Sequence, residues 1–245
     1  MATTVGGYAE LHAYSNFTFL EGASHPEELI DRAVELGLEA IALTDRNGLY
    51  GAVRFAKQAR ARGIAAIVGS ELTFADGACI VLLVEDERGY ANLCEIISCA
   101  QMRGSKANAR LELEDLAERT AGLIALSGGE NGRIERALAA HDAEAAREEA
   151  QTLQRLFGAN LYLELQHHLT PGESLRNAQL LQIAEELALP YVATNGAFYA
   201  GKGDAQLADV LTCIKHGETL SEARAAHRLR ANAEYYLKPA AAMRR

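Results

Sequence analysis

Apolar residues along the chain recur in two rhythms, short unbroken runs and longer stretches with helical spacing, and their alternation predicts a succession of strands and helices. Tyr8 to His12 reads as a first strand, followed by a loop through Glu21 and Gly22. Ser24, ahead of His25, Pro26 and Glu27, predicts a capping box with proline inside the first turn, where its missing N–H leaves no helical bond unmade. Leu29, Ile30, Ala33, Val34 and Leu36 supply the buried stripe of that helix, and Gly37 ends it. Ala40 to Leu43 is the next strand, with Thr44 and Asp45 at its carboxyl end, followed by a helix from Leu49 to Arg62 that Gly63 stops. Ile64 to Val68 is a strand that Gly69, Ser70 and Glu71 close.

Farther on, Cys79 to Val84 predicts a fourth strand and Tyr90 to Met102 a helix held by Leu93, Ile96 and Ile97. The polar stretch RGSKANARLE reads as a loop before a short helix, Leu113 to Glu118. Leu123 to Leu126 is a strand broken by Ser127, Gly128 and Gly129, and Ile134 to Phe157 a long helical region with a break between Ala139 and Asp142. Leu161 to Leu165, a helix from Ser174 to Leu187, Tyr191 to Thr194 and a helix from Ala205 to Lys215 complete the pattern, with Gly217 as the last stop. Strands separated mostly by helices predict a parallel α/β architecture, and a distorted seven-stranded β/α barrel suits polar residues that recur after several different strands. No GxGxxG or Walker-type phosphate loop supports an open dinucleotide-binding sheet.

Composition narrows the function classes. The net charge of -9 over 245 residues gives no field for nucleic acid or an anionic membrane. No apolar run reaches the ~18 residues of a membrane span, and MATTVGG lacks a signal-peptide pattern, so a cytoplasmic location without membrane contact is expected. Cys79, Cys94, Cys99 and Cys213 lie far apart in apolar segments and read as reduced thiols.

The chemistry-bearing residues near strand ends are His12, Glu21, Asp45, Glu71, His168 and Asn195. Carboxylates and neutral imidazoles together hold Zn2+, Mn2+ or iron, and closely spaced ions position water for attack on a phosphate ester. The donor set here is thin. Tyr14 and Arg46 stand where further histidines would serve, Arg46 has no lone pair to give, and TNGAFYA offers Gly196 and Phe198 in place of an acid and a histidine. At best one weak ion site made from His12, Glu21, Asp45, Glu71 and His168 is expected. Each of these also has a structural reading: His12 in a hydrogen bond at the mouth, Glu21 solvated or paired with Arg46, Asp45 on turn amides, Glu71 in a buried pair, and His167 and His168 as non-ligands. Tyr14, Phe17 and Phe19 form either an apolar cover or plain loop packing.

YAELHAYSNFTFLEGASHPEEL, ALTDRNGLYGAVRFA, GLIALSGG, LYLELQHH and YVATNGAFYA, taken in order, resemble the PHP domain, the polymerase and histidinol phosphatase module of bacterial C-family DNA polymerases, and within it the error-prone alpha-subunit type. The resemblance implies a distorted seven-stranded β/α barrel over residues 8–230, a flexible segment at 1–7 and a stretch at 231–245 leading toward a polymerase body outside this chain. Active members hold up to three metal ions. By position, the family's first His-x-His pair is His12 with Tyr14, its loop acid Glu21, its TDH segment Asp45 with Arg46, its third-strand carboxylate Glu71, and its late Asp-x-His pair Gly196 and Phe198. Cys79, Gly129 and His168 fall near other ligand places. Arg46 is expected to fill part of the vacated metal space and pair with Glu71 or Asp45.

The expected function is therefore a catalytically degenerate domain acting as a structural or protein-interaction platform in DNA-damage-tolerance synthesis, with no cofactor of its own. Its expected partners are the palm and thumb regions of the parent polymerase and damage-tolerance proteins; DNA and Mg2+ belong to that parent. The alternatives are a residual phosphoesterase or 3'-5' exonuclease using Zn2+, Mn2+, Fe2+ or Fe3+, and a non-catalytic nucleic-acid-binding module.

Overall fold

The computed structural model describes residues 7–105 and 108–244; of the expected flexible segment at 1–7, residues 1–6 lie outside the described residues. In chain order the elements are β1 (Ala9–Glu10), α1 (Pro26–Glu35), β2 (Ala40–Leu43), α2 (Ala52–Arg62), β3 (Ala65–Thr73), β4 (Cys79–Val84), α3 (Glu87–Arg103), α4 (Leu113–Leu116), β5 (Leu123–Leu126), α5 (Arg133–Ala139), α6 (Ala143–Phe157), β6 (Leu161–Leu165), α7 (Glu173–Leu187), β7 (Tyr191–Ala193), α8 (Ala205–His216), α9 (Leu220–Ala225) and α10 (Ala240–Met243). The seven strands follow one another through the sheet in sequence order. This is the distorted β/α barrel topology that the alternation of strands and helices predicts.

The sheet is mixed where an all-parallel one was expected. β1 is parallel to β2, and β5, β6 and β7 are parallel in turn, but β4 runs antiparallel to both β3 and β5. The cause is local: only the short segment between Thr73 and Cys79 joins β3 to β4, which suffices for a hairpin and not for a crossover. That pairing also carries β3 past the stop expected at Val68, so Glu71 lies inside the strand, opposite Val81. Gly69 is a close-approach residue, since a Cβ there would sit 2.6 Å from the Leu82 carbonyl oxygen.

Helix ends follow their sequence signals with one shift. The α1 cap is His25, whose N–H donates to Glu28 at 2.7 Å, one position later than the box expected at Ser24. Pro26 then occupies the first helical position, and Ser24 instead accepts from the Ala200 N–H at 2.9 Å. Gly63 and Gly217 end α2 and α8 with φ of 71° and 65°, a conformation that glycine adopts without strain.

The described residues form two compact units. The first comprises residues up to Leu43, Tyr50–Ile67 and Asn195 onward; its core gathers Leu29, Ile30, Ile41, Phe55 and Leu237. Within it, the segments after β1 and β7 meet in a parallel bridge between Ala13 and Ala197. Tyr199 pairs with Tyr236, which draws part of the 231–245 stretch into the unit and buries Leu237 completely. The second unit comprises Thr44–Leu49 and Val68–Thr194, with Leu72, Phe74, Ile80, Leu82, Leu93, Leu123 and Leu163 in its core.

A polar knot crosses the second unit's interior. Ser127 donates to Glu135 and accepts from the Glu164 N–H at 2.9 Å, while Glu164 accepts from Thr194 at 2.5 Å and from Gln166 at 3.0 Å. Burial, opposed by the Ser127 hydroxyl and reinforced by the Glu164 charge, pushes the Glu135 carboxyl up to about 8.

Two stability measurements follow. Truncating the fully buried Leu237 to alanine is expected to cost about 2–5 kcal/mol in urea unfolding; a loss within error would mean that the stretch is not part of the core. For Glu135, below pH 4.5 both folded and unfolded chains hold the proton. Between 4.5 and about 8 the unfolded chain has lost the proton that the folded chain retains, so this group's contribution to stability falls as pH rises through that window. Glu135→Gln is expected to flatten this part of the profile and to melt above the native chain at the alkaline end, as thermal unfolding across pH would record.

Candidate functional site

Of the residues singled out from the sequence, His12, Tyr14, Glu21, Asn195 and Phe198 lie in the first unit, and Asp45, Arg46, Glu71 and His168 in the second. Glu10, His12 and Tyr14 alternate along one extended segment and so share a face. His12 Nε2 and the Tyr14 hydroxyl are 2.6 Å apart, and the Tyr14 ring stacks on Phe198 with centroids 4.2 Å apart. The Arg230 guanidinium stands 3.6 Å over the Phe198 ring. Tyr14 is therefore built into an aromatic stack, whereas Phe19, expected to share a cover or a packed loop with it, is 79% exposed. Phe17 lies 5.8 Å from the Arg54 guanidinium.

Glu10, a carboxylate the motif reading passed over, anchors this face. It accepts from the N–H groups of His12 and Asn195 at 3.1 Å and from the Tyr8 hydroxyl at 3.0 Å. Burial nevertheless pushes its carboxyl up to about 7 against those hydrogen bonds. Asn195 clamps backbone: its side-chain amide donates to the carbonyls of Glu234 and Tyr236 at 2.8 Å each. Glu21 pairs with Lys215 at 2.6 Å.

In the second unit the segment after β2 is stitched onto β3. Arg46 Nε donates to Glu71 Oε1 at 2.6 Å, and Asn47 N–H donates to the Glu71 carbonyl at 2.7 Å. Ser70 donates to the Asp45 carbonyl at 2.8 Å and accepts from the Gly48 N–H at 3.2 Å. Asn47, at φ 54°, completes the clamp: its side chain accepts from the Thr73 N–H at 2.9 Å and donates to the Thr73 hydroxyl at 3.1 Å. Glu71 is 1% exposed, so its charge has left water and needs a partner; Arg46 is the one the sequence analysis anticipated.

Burial and then the Glu71 charge push the Cys79 thiol up to about 12, far from the thiolate that binds metals. His168 sits in a separate arrangement with Glu173, its Nδ1 at 3.3 Å, while the N–H groups of His168 and Thr170 donate to the same carboxylate at 2.9 and 2.8 Å. Burial acts to raise Glu173, but those bonds outweigh it and hold the carboxyl below the usual range. Gly129 lies against Gln166, where a Cβ would meet the side-chain oxygen at 2.5 Å.

Among the described residues no group of three or more His, Cys, Asp and Glu side chains is arranged to hold a metal ion. The residues that sequence reasoning missed are Glu10, Glu135, Glu164 and Arg230. For Glu10 and Glu164 a signal was present, an acid inside an apolar strand run in YAEL and LYLEL; Arg230 follows a helix with no pattern to mark it.

The PHP domain family matches residues 10–168. The chain is 39% identical over 231 residues to an error-prone DNA polymerase of Pseudomonas syringae pv. tomato, covering 94% of this chain and 21% of that protein. It is 39% identical over 245 aligned positions to an error-prone DNA polymerase of Anaeromyxobacter sp., covering 94% of this chain and 20% of that protein. It thus spans about a fifth of the length of the curated relatives it matches. Among solved structures, it is similar to a candidate metal-dependent phosphoesterase of Bifidobacterium adolescentis, with TM-score 0.54 and 13% identity over 79% of this chain and 88% of that one. A two-domain protein of Bacteroides vulgatus described as containing a predicted PHP-like metal-dependent phosphoesterase gives TM-score 0.51 and 16% identity over 86% of this chain and 55% of that one. At such identities the structural likeness carries the fold alone. The family match runs from Glu10 in β1 through β6 to His168, well over half of the sequence, and the chain belongs to the PHP domain family.

Proposed function

We propose that this chain is a catalytically degenerate PHP domain of an error-prone DNA polymerase, serving as a structural or protein-interaction platform within it. The observation that carries this reading is the Arg46–Glu71 pair. A guanidinium, which has no electron pair to donate, stands 2.6 Å from the carboxylate that the family resemblance marks as a ligand. Three more substitutions act in the same direction. Tyr14 and Phe198 stack on one another at two ligand places, and Gly196 offers no donor at a third. Tyr14 also engages His12 Nε2, one of the two ring nitrogens through which a histidine can coordinate. These donors do not fit a hydrolytic ion cluster, which needs several lone pairs per ion and an open position for water.

The platform half of the reading draws on α8. Leu207, Val210 and Ile214 recur at helical spacing and are 50%, 43% and 60% exposed, an apolar stripe suited to cover by another part of a longer polymerase. On this reading the palm and thumb regions are the partners, and DNA and Mg2+ are handled outside this chain.

The test is hydrolysis. With Zn2+, Mn2+ or Fe2+ supplied, the chain is expected to leave a chromogenic phosphate monoester and a DNA 3' end uncleaved, at rates equal to those of the metal-free protein. Turnover that appears with metal and disappears in a folded Glu71→Ala variant would defeat the reading and establish a residual hydrolase in its place.

A further inference from the structure

A cavity of about 440 Å3 lies in the first unit between α8 and the segment after α9, and Tyr199, Asp209, Arg224, His227 and Arg230 are among its lining residues. Its volume falls in the range of small-molecule sites. Its lining is polar in a specific way. Two arginines face a single acid, Asp209, in a chain whose net charge is -9.

Neither arginine has a carboxylate partner among the described residues, whereas Arg228 nearby pairs with Glu218 at 3.0 Å. Arg230 is half-buried, 3.6 Å over the Phe198 ring and 5.5 Å from the Tyr235 centroid. Aromatic faces hold the guanidinium plane in place without neutralising it. Burial lowers its pKa, opposed by the neighbouring tyrosines and Glu21, so the charge is held at a cost that an anion would relieve. The Tyr199 hydroxyl adds a second, independent sign. The residue is 1% exposed and, among the described residues, its oxygen makes no well-formed hydrogen bond, with only the Tyr235 backbone close enough to engage it, an arrangement that buried polar groups rarely keep.

We propose that this cavity binds a phosphate monoester, with the Arg230 and Arg224 guanidiniums and the Tyr199 hydroxyl donating to the phosphate oxygens and Asp209 accepting from a hydroxyl elsewhere on the ligand. A guanidinium fork matches phosphate geometry, and the room beyond the phosphate suits a group the size of a nucleoside. None of the cavity's lining residues is one of the family's ligand positions, although Arg230 borders one of them, Phe198, and the site calls for retention of the ligand, not its hydrolysis.

The experiment is a titration of the whole chain with inorganic phosphate and with a deoxynucleoside monophosphate at low salt, followed by calorimetry and NMR. Saturable binding of either is expected, weakening as salt is added. Arg230→Gln is expected to weaken it about tenfold or more. Arg224→Gln, at an exposed position, and Tyr199→Phe are expected to weaken it by smaller factors, and they decide the matter if Arg230→Gln does not fold. Tighter binding of the nucleotide identifies it as the ligand, and equal binding identifies the free anion; both outcomes support the site. No saturable response to either probe, or unchanged affinity in folded Arg224→Gln and Tyr199→Phe variants, overturns it. Cleavage of the nucleotide would count against a degenerate domain while leaving the cavity assignment standing.

Discussion

A carboxylate removed from water must find a cation, collect enough hydrogen bonds, or keep its proton, and Glu71 on β3 takes the first course. Arg46 reaches it from the segment after β2, and the same segment is fastened to β3 by Asn47 and by Ser70 on either side of that contact. The ion pair therefore does more than neutralise a charge. Together with the Asn47 and Ser70 bonds it holds the TDRN stretch, including Asn47 in its left-handed backbone, against β3. Breaking such a pair by removing one partner leaves a buried charge uncompensated, typically at a cost of about 3–5 kcal/mol.

The other two courses appear elsewhere in the chain. Among the described residues Glu10 has no arginine or lysine bonded to it and relies on backbone N–H groups and Tyr8; its carboxyl stays near 7 because hydrogen bonds recover only part of the lost hydration. Glu135 has less still, a serine hydroxyl and an oxygen without a partner, and rises to about 8. The order follows the quality of the partners. Arg230 in the first unit shows the complementary situation, a guanidinium held by rings with no acid assigned to it.

Much of this was legible in the sequence wherever a signal was local. β2, β4, β5 and β6 begin and end where their apolar runs do, and the break between α5 and α6 falls at the expected place. β3 was misread because Gly69 resembles a stop, although its role is to admit the β4 backbone, a fact that depends on a partner strand. The α1 cap moved by one residue because Pro26 favours the first helical position and Ser24 has a distant partner in Ala200. The Arg46–Glu71 contact was inferable from chemistry, since a guanidinium next to a strand-end carboxylate seeks that charge. Arg230 was not, because its meaning lies in the Phe198 ring more than thirty positions earlier, in the Tyr235 ring that follows it, and in a cavity that no periodicity records.

On the proposed reading, an arginine in place of a metal ligand also changes what the fold depends on. A site held by ions orders fully only when the ions are present and its donors are deprotonated, so its shape varies with metal supply and pH. A guanidinium is part of the chain and stays charged across the whole physiological range. The Cys79 thiol, at about 12, likewise keeps its proton throughout that range. Two buried acids titrate close to neutrality instead, Glu10 near 7 and Glu135 near 8. For a module whose proposed work is to hold a surface in place, replacing exchangeable ions by fixed guanidinium charge makes that surface independent of metal supply, at the cost of the hydrolytic chemistry that bound ions would provide.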